Sequence, residues 1–429
     1  MPKRVPDWIE GFLFYTQGSE PPLLYRKWAA ISTLAACMKR KCWLSWGTIT
    51  FFPNLYVVLV GPSGRCRKGT AMGPAYDMLS TIGIKMAADT GTKEALAESL
   101  EDAMEVDADD EGRAIPHCSL TIFSPELTVF LGYSNLELMS YLVDWYDCKD
   151  RWKYKTKNKG TNDITNVWVN LFGATTPELI QSAMPRDAIG GGLTSRIIFV
   201  YEQKKGRSSP LPFLTHAEIT MKQDLLIDLE SICMLRGEFK LDNTFTDQWI
   251  RWYCWQEDHP PFESQHLQGY ISRRPTHVLK LSMIMNASRG GDMLLTSQDL
   301  SRAIDAIEEV EFKMPKVFAG LGSSRTADVY SRVLNEIGIQ METSLSHLMR
   351  VFQTDVESKR QMLEILSAME TARIIQIGEA KGDLKIIYKG KELIHEQSNR
   401  FANLRRSQRL TEEPSGGSDS SGSDSEEST

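Results

Sequence analysis

The chain has little of what several large protein classes require. No apolar run approaches the ~20 residues that span a bilayer, so an integral membrane protein is not expected. The opening residues, MPKRVPDWIEGF, are basic and then amphipathic, without the apolar core of a secretory signal. Seven cysteines, at 37, 42, 66, 118, 148, 233 and 254, show no Cys-x-x-Cys spacing. A disulfide framework and a zinc ribbon are therefore excluded, and reduced thiols in a cytoplasmic protein are expected. His117 stands beside Cys118 with no second ligand pair near it in the sequence. A basic excess is missing too. The formal net charge of -7 argues against a strongly nucleic-acid-seeking surface taken as a whole.

That charge is unevenly placed. From Glu412 to Thr429 the chain is almost wholly Ser, Gly and acid, with Glu412, Glu413, Asp419, Asp424, Glu426 and Glu427. Such a segment cannot bury a core, so a disordered acidic tail is expected, either solubilising or recruiting a basic partner. Without it the body is close to neutral. A length of 429 residues, 41% apolar and 24% charged, fits two or three globular domains with ample core.

Residues 6–40 place Trp8, Phe12 and Leu13, then Tyr25, Trp28, Ile31 and Leu34, at helical spacing, interrupted by GSEPP. A short hairpin is expected over 42–52. From 54 to 202 strand-like and helix-like segments alternate. The strands are Leu55–Val60, IKMAAD, 119–132, 167–178 and 195–202, and VDADDEGRA (106–114) reads as an acidic loop. Helices are expected at Lys93–Met104, behind an N-cap at Thr92, and at Leu136–Tyr146. Alternation of this kind predicts a mainly parallel sheet covered by helices, with ligands at the carboxyl ends of its strands. Residues 215–320 read as helical throughout. Residues 325–391 then give three helices (Ala327–Ile337, Leu345–Phe352, Lys359–Glu370) and two strand-like runs, the order of a winged helix. Lys359 and Arg360 would open its recognition helix.

The segment NLYVVLVGPSGRCRKGTAM (54–72) carries the most chemistry. An apolar strand enters a loop with Gly61, Ser63 and Gly64, and basic residues precede a helix. Glycines let backbone N–H groups turn toward phosphates, a helix N-terminus adds its dipole, and a lysine followed by a hydroxyl serves phosphate and Mg²⁺. Counted from Gly61, the pattern G-x-x-x-x-G-K-[ST] puts Cys66 at the second glycine and Arg67 at the lysine. Counted back from the helix, Lys68 is the lysine and Thr70 the hydroxyl, with Gly69 between them. Both registers stay open. Pro74 sits early in the following helix.

Further polar residues fall at expected strand ends. Glu126 follows LTIF-Ser124-Pro125, where a carboxylate can polarise an attacking water. Its bland counterpart is an acid in the first turn of a helix. Thr175 and Thr176 follow VWVNLFGA, with Asn170 inside that strand, and Thr176 also suits a helix N-cap. Asp89 ends another strand. Arg196 opens SRIIFVYE, with Arg186 as its rival. In RWKYKTKNKG, Lys153, Lys155, Lys157 and Lys159 alternate, so a strand would carry them on one face for phosphate contact. Trp152 and Tyr154 would lie on the other face, packing or stacking on bases.

With these pieces in order, residues 54–202, and more weakly those to 300, resemble the additional-strand group of P-loop ATPases. More closely, they resemble phage and plasmid replicative helicases with an AAA+-like core. The resemblance implies an α/β P-loop ATPase core, flanking helical regions and a C-terminal winged helix. Its segments would be 1–53 (helical region and hairpin), 54–210 (ATPase core), 211–322 (helical lid), 323–393 (winged helix) and 394–429 (tail). It implies ATP and Mg²⁺ as cofactors, the phosphates on Gly61, Ser63, Gly64, Arg67, Lys68, Gly69 and Thr70, and the metal on Thr70 and Ser124. Glu126 would position water, Thr175 or Thr176 would sense the γ-phosphate, and Arg196 would reach a neighbouring subunit's nucleotide. Arg274 or Lys280, in RRPTHVLKLSMIMNASR, would contact nucleotide from a lid helix. The implied partner is single-stranded or forked DNA, gripped by the lysine hairpin, with further copies of the chain in a hexameric ring in the cytoplasm of a host cell. Priming would need a partner, because no clustered-carboxylate metal site is visible. Two other classes stay open: a DNA-binding initiator with a degenerate nucleotide site, and a packaging or loading ATPase.

Overall fold

A computed structural model describes residues 3–87, 92–108, 112–132, 135–156, 160–183, 191–318, 325–353, 355–356, 358–380 and 382–389. It is mixed α/β, and the chain forms two compact units, Met1–Leu321 and Gly322–Thr429.

The first unit is organised by a five-stranded sheet. Its strands are β1 (Tyr56–Val60), β2 (Met104–Ala108), β3 (Ala114–Ser124), β4 (Val167–Thr175) and β5 (Ile197–Tyr201). The order is β2-β3-β4-β1-β5, and only β2 runs antiparallel to its neighbour. Every residue of β1, β4 and β5 is buried, which explains why these strands read as unbroken apolar runs instead of alternating. Register aligns Val60 with Thr175 and Tyr201, and Ser124 with Gly173. The segments beginning at Gly61, Pro125, Thr176 and Glu202 therefore leave the sheet along one edge.

Helix Leu23–Met38 packs on β1, β4 and β5 and against helix Lys68–Thr81. It is apolar nearly all round, as a fully covered helix must be. Helix Leu136–Tyr146 lies against β4. Helices His216–Cys233, Asn243–Asp258, Gln268–Arg289 and Ser297–Glu311 follow. One hydrophobic cluster runs from Val5 to Phe318, so the segments 1–53, 54–210 and 211–322 share a core. Among the described residues, no helix is long and apolar enough to cross a membrane.

Three local expectations fail. The acidic stretch 106–114 is not all loop, since Met104–Ala108 pairs antiparallel with β3. As an edge strand it tolerates its charges, which also discourage further pairing. The expected strand IKMAAD contributes a single parallel bridge, Met86 to Thr121, and Asp89 lies outside the described residues. The span 215–320 also includes two-residue strands: Gly237–Glu238 pairs with Cys42–Trp46, and Lys240–Leu241 with Leu294–Leu295.

The second unit has its own core, including Val333, Ile337, Leu348, Met362, Leu366, Met369 and Ile386. Helices Arg325–Gln340, Leu345–Val351 and Lys359–Thr371 precede an antiparallel hairpin, Ile375–Ala380 with Asp383–Tyr388. Glu342–Ser344 adds a third strand beside 383–388. The expected tail, 394–429, lies outside the described residues.

Candidate functional site

The loop after β1 is held from beneath. Tyr25 donates its hydroxyl to the Val60 carbonyl at 2.7 Å. Gly61 N–H donates to Thr175 O at 3.3 Å, and Glu202 N–H to Val60 O at 3.0 Å. A Cβ on Gly61 would fall 2.4 Å from the Glu202 carbonyl oxygen and 2.6 Å from the Tyr25 hydroxyl, so only glycine fits. The Cys66 thiol donates to Glu202 O at 3.1 Å, pulling the far side of the loop onto β5. Gly64 and Arg67 take φ of +69° and +57°, which turns the chain into the helix. Helix Lys68–Thr81 begins without a side-chain cap. The N–H groups of its first turn, at Lys68, Gly69 and Thr70, thus have no intrahelical partner and stand at the positive dipole end.

The two basic residues diverge. Arg67 is turned outward and donates through Nε to Glu20 at 2.7 Å. Lys205 and Arg67 together hold the Glu20 carboxyl down at about 2. Lys68 folds back into the loop, donating from Nζ to Gly61 O at 2.6 Å and Pro62 O at 3.3 Å. Partial burial pulls its ammonium below the ordinary value, with the Cys66 sulfur and the Glu126 and Glu178 carboxylates acting the other way. Gly69 and Thr70, in the first turn, are exposed, as is Ser63.

Four residues at or just after strand ends gather on this edge. Thr175 is buried, and its hydroxyl has no hydrogen-bond partner among the described residues. A buried hydroxyl left unpaired costs about 1–3 kcal/mol, and this one adjoins the loop's first residue. Ser124 is buried at the end of β3, and Glu126 is exposed two residues on, at the start of helix Leu127–Leu131. Thr176 accepts from Leu179 N–H at 3.3 Å and so caps the next helix.

Other expected site residues are not brought here. Arg196 precedes β5, at the amino end of the sheet. It is buried and ion-paired with Asp147, which it meets through Nε at 3.2 Å and a terminal nitrogen at 2.5 Å. Arg274 is buried on Glu311. Lys280 is buried on the Asn54 side chain at 2.7 Å, above the Tyr146 ring, again at the amino end. Burial brings its ammonium down to about 8. From His277 to Ser288 every residue of the helix carrying both is buried, so the polar residues there are spent inside the unit. Asn170 accepts from Leu55 N–H at 2.9 Å and serves the sheet itself. Arg186 lies outside the described residues.

The expected lysine hairpin forms, Arg151–Thr156 pairing with Gly160–Thr165. Lys153 is exposed, 3.7 Å from Asp163. Lys157 and Lys159, and the Lys155 side chain, lie outside what is described. The other face is closed: Trp152 packs edge-on against Trp145 and Tyr141 and donates to Asp144 at 3.2 Å, and Tyr154 stacks on Trp152. Of the two alternatives for these aromatics, packing is the one seen. In the second unit Lys359 and Arg360 are exposed at the start of their helix, with Arg360 3.1 Å from Glu364.

Sequence reasoning missed Tyr25 and Glu202, which fix the loop through tertiary contacts with no local signal. It also missed the carboxylates near His117. Glu105, Asp107 and His117 offer ligand-type atoms within 4.8 Å of one another, an arrangement hidden until the acidic stretch pairs with β3. The chain matches no family model and no curated protein.

Proposed function

We propose that the chain is an ATP-dependent DNA motor of the phage-type replicative helicase class, built on an AAA+-like P-loop core with a winged-helix module at its carboxyl side. The observation that carries this reading is Lys68, folded into a glycine-bearing loop between a central parallel strand and an uncapped helix N-terminus. The strand order supports it. β4 is inserted between the loop strand and the strand leading to Glu126, the arrangement that gives the additional-strand ATPases their name. In the second unit, the succession of three helices and a hairpin, with a short third strand, supports the winged-helix assignment.

In this account the N–H groups of the loop and first helical turn hold the phosphates, and Lys68 exchanges its carbonyl partners for phosphate oxygens. The hydroxyls of Thr70 and Ser124 suit a Mg²⁺ ion, which would neutralise phosphate charge. Glu126 accepts a proton from the water that attacks the γ-phosphorus as the bond to the β-phosphate oxygen breaks. Thr175, rather than the helix-capping Thr176, supplies the hydroxyl that reads the γ-phosphate. Lys153 and its neighbours grip a DNA backbone without base readout. Arg196 serves a neighbouring copy only after Asp147 releases it.

That engagement of Arg196 favours a second reading, a DNA-binding replication initiator whose nucleotide site binds without turnover. ATP hydrolysis with and without single-stranded DNA, for wild type, Lys68→Ala and Glu126→Gln, separates the two. DNA-stimulated turnover lost in both variants supports the motor. DNA binding without turnover in wild type supports the initiator. Strand displacement on a forked substrate distinguishes a helicase from a packaging or loading ATPase.

A further inference from the structure

A second concave site lies at the amino end of the sheet. Its floor is His117, in β3, seven residues before Ser124, so at ~3.3 Å per residue it is roughly 23 Å from the loop edge. The cleft holds about 350 Å³, the lower end of the range for small-molecule sites. Four cations line it, Arg40, Lys41, Arg113 and Arg236, against one carboxylate, Asp107. Trp43 contributes a partly exposed indole ring to the same wall.

The charges are held in ways that leave the cleft positive. Arg40 is buried and fixed by the carbonyls of Cys148 and Val167 and by Asp150 at 2.6 Å. Lys41 is anchored on the Cys233 carbonyl, which orients the ammonium without neutralising it. Arg236 is exposed, with no hydrogen bond or ion pair among the described residues. Asp107 is occupied, with Oδ2 2.8 Å from His117 Nε2, while His117 Nδ1 faces Ser119 Oγ at 2.9 Å. Burial pulls the His117 pKa down, Asp107 opposing. Burial thus favours the neutral ring, in which Nε2–H donates to Asp107 and Nδ1 accepts from Ser119. The nearby Glu105 is held by Lys39 at 2.6 Å.

We propose that this cleft binds one nucleotide unit, its phosphate on Lys41 and Arg236 and its base against Trp43. Cations beside an aromatic face are how proteins hold nucleotides without reading sequence, the ring stacking and the charges meeting the phosphate. A free nucleoside monophosphate and one unit of a single strand share this chemistry. The proposal is separate from the loop at Gly61–Thr70 and stands whether or not that loop hydrolyses ATP.

The test uses the full chain carrying Lys68→Ala, which removes the loop's lysine. A short oligothymidylate containing 5-iodouracil is photocrosslinked, and its binding is measured across salt concentrations. The proposal expects the crosslink on the peptide containing Trp43. It expects Arg236→Glu to weaken binding severalfold and to lower the salt slope by about one, with Arg236→Lys restoring both. Thymidine monophosphate that competes for the crosslink identifies a free-nucleotide site. Failure to compete, with the Arg236 dependence intact, identifies a strand site. Crosslinks confined to other peptides, or oligothymidylate binding unchanged by Arg236→Glu, would overturn the proposal.

Discussion

Lys68 Nζ lies 2.6 Å from the carbonyl oxygen of Gly61, so the first residue of the helix closes back onto the first residue of the loop. The closure depends on Gly61 itself, whose missing Cβ makes room for the Glu202 carbonyl and the Tyr25 hydroxyl. Gly61→Ala is expected to push backbone apart, costing about 1–3 kcal/mol as overpacking does, and to abolish nucleotide binding. Thermal unfolding and binding of a fluorescent ATP analogue check the two effects separately.

Arg274 and Glu311 form a bidentate pair at 2.7 and 2.9 Å with both side chains almost fully enclosed. Glu311→Ala leaves the buried guanidinium with only Glu308, partly exposed and 3.5 Å away, to balance it. A loss of about 3–5 kcal/mol is expected, read by denaturant unfolding. ATP binding by the fraction still folded should be unchanged, because neither residue reaches the loop.

His277 sets a pH dependence. It is buried between the Tyr146 hydroxyl and the Ser195 carbonyl, and burial pulls its pKa down to about 3. Below its ordinary value near 6.5 the unfolded chain gains a proton that the folded chain refuses, so stability falls on acidification from there toward 3. Between pH 6.5 and 5.5 this one group accounts for about 1 kcal/mol. His277→Gln should flatten that part of the stability profile relative to wild type, a difference that isolates it from His117, which is lowered in the same direction.

The hairpin's two faces should separate on mutation. Trp152→Ala removes a ring packed on Trp145 and Tyr141 and is expected to cost about 3–5 kcal/mol. Lys153→Gln removes an exposed charge and its loose pairing with Asp163, and should cost less than about 1 kcal/mol while weakening single-stranded DNA binding. Unfolding curves and a salt titration of DNA affinity distinguish them.

The elements that carry continuous patterns were legible from sequence. Leu136–Tyr146 has the expected bounds, Thr92 caps its helix through Ala95 N–H, and β1, β4 and β5 announce themselves as buried apolar runs. The acidic edge strand Met104–Ala108 was not legible, because its pairing with β3 comes from tertiary placement against a charged local composition. The loop's position between a strand and a helix was legible, but the divergence of Arg67 and Lys68 was not. Glu20, distant in sequence, draws Arg67 outward. Nor did the sequence reveal that Arg196 and Lys280 would be held at the amino end of the sheet, on Asp147 and Asn54.

The central claim is that Lys68 is the lysine of a working nucleotide loop. Steady-state ATP turnover in the presence of single-stranded DNA, compared across wild type, Lys68→Ala and Arg67→Ala, tests it most directly. Lys68→Ala should lose about 100-fold or more, as removal of a charge-stabilising donor does. Arg67→Ala should lose only a few-fold, the scale of an exposed ion pair. Turnover that survives Lys68→Ala would contradict the account.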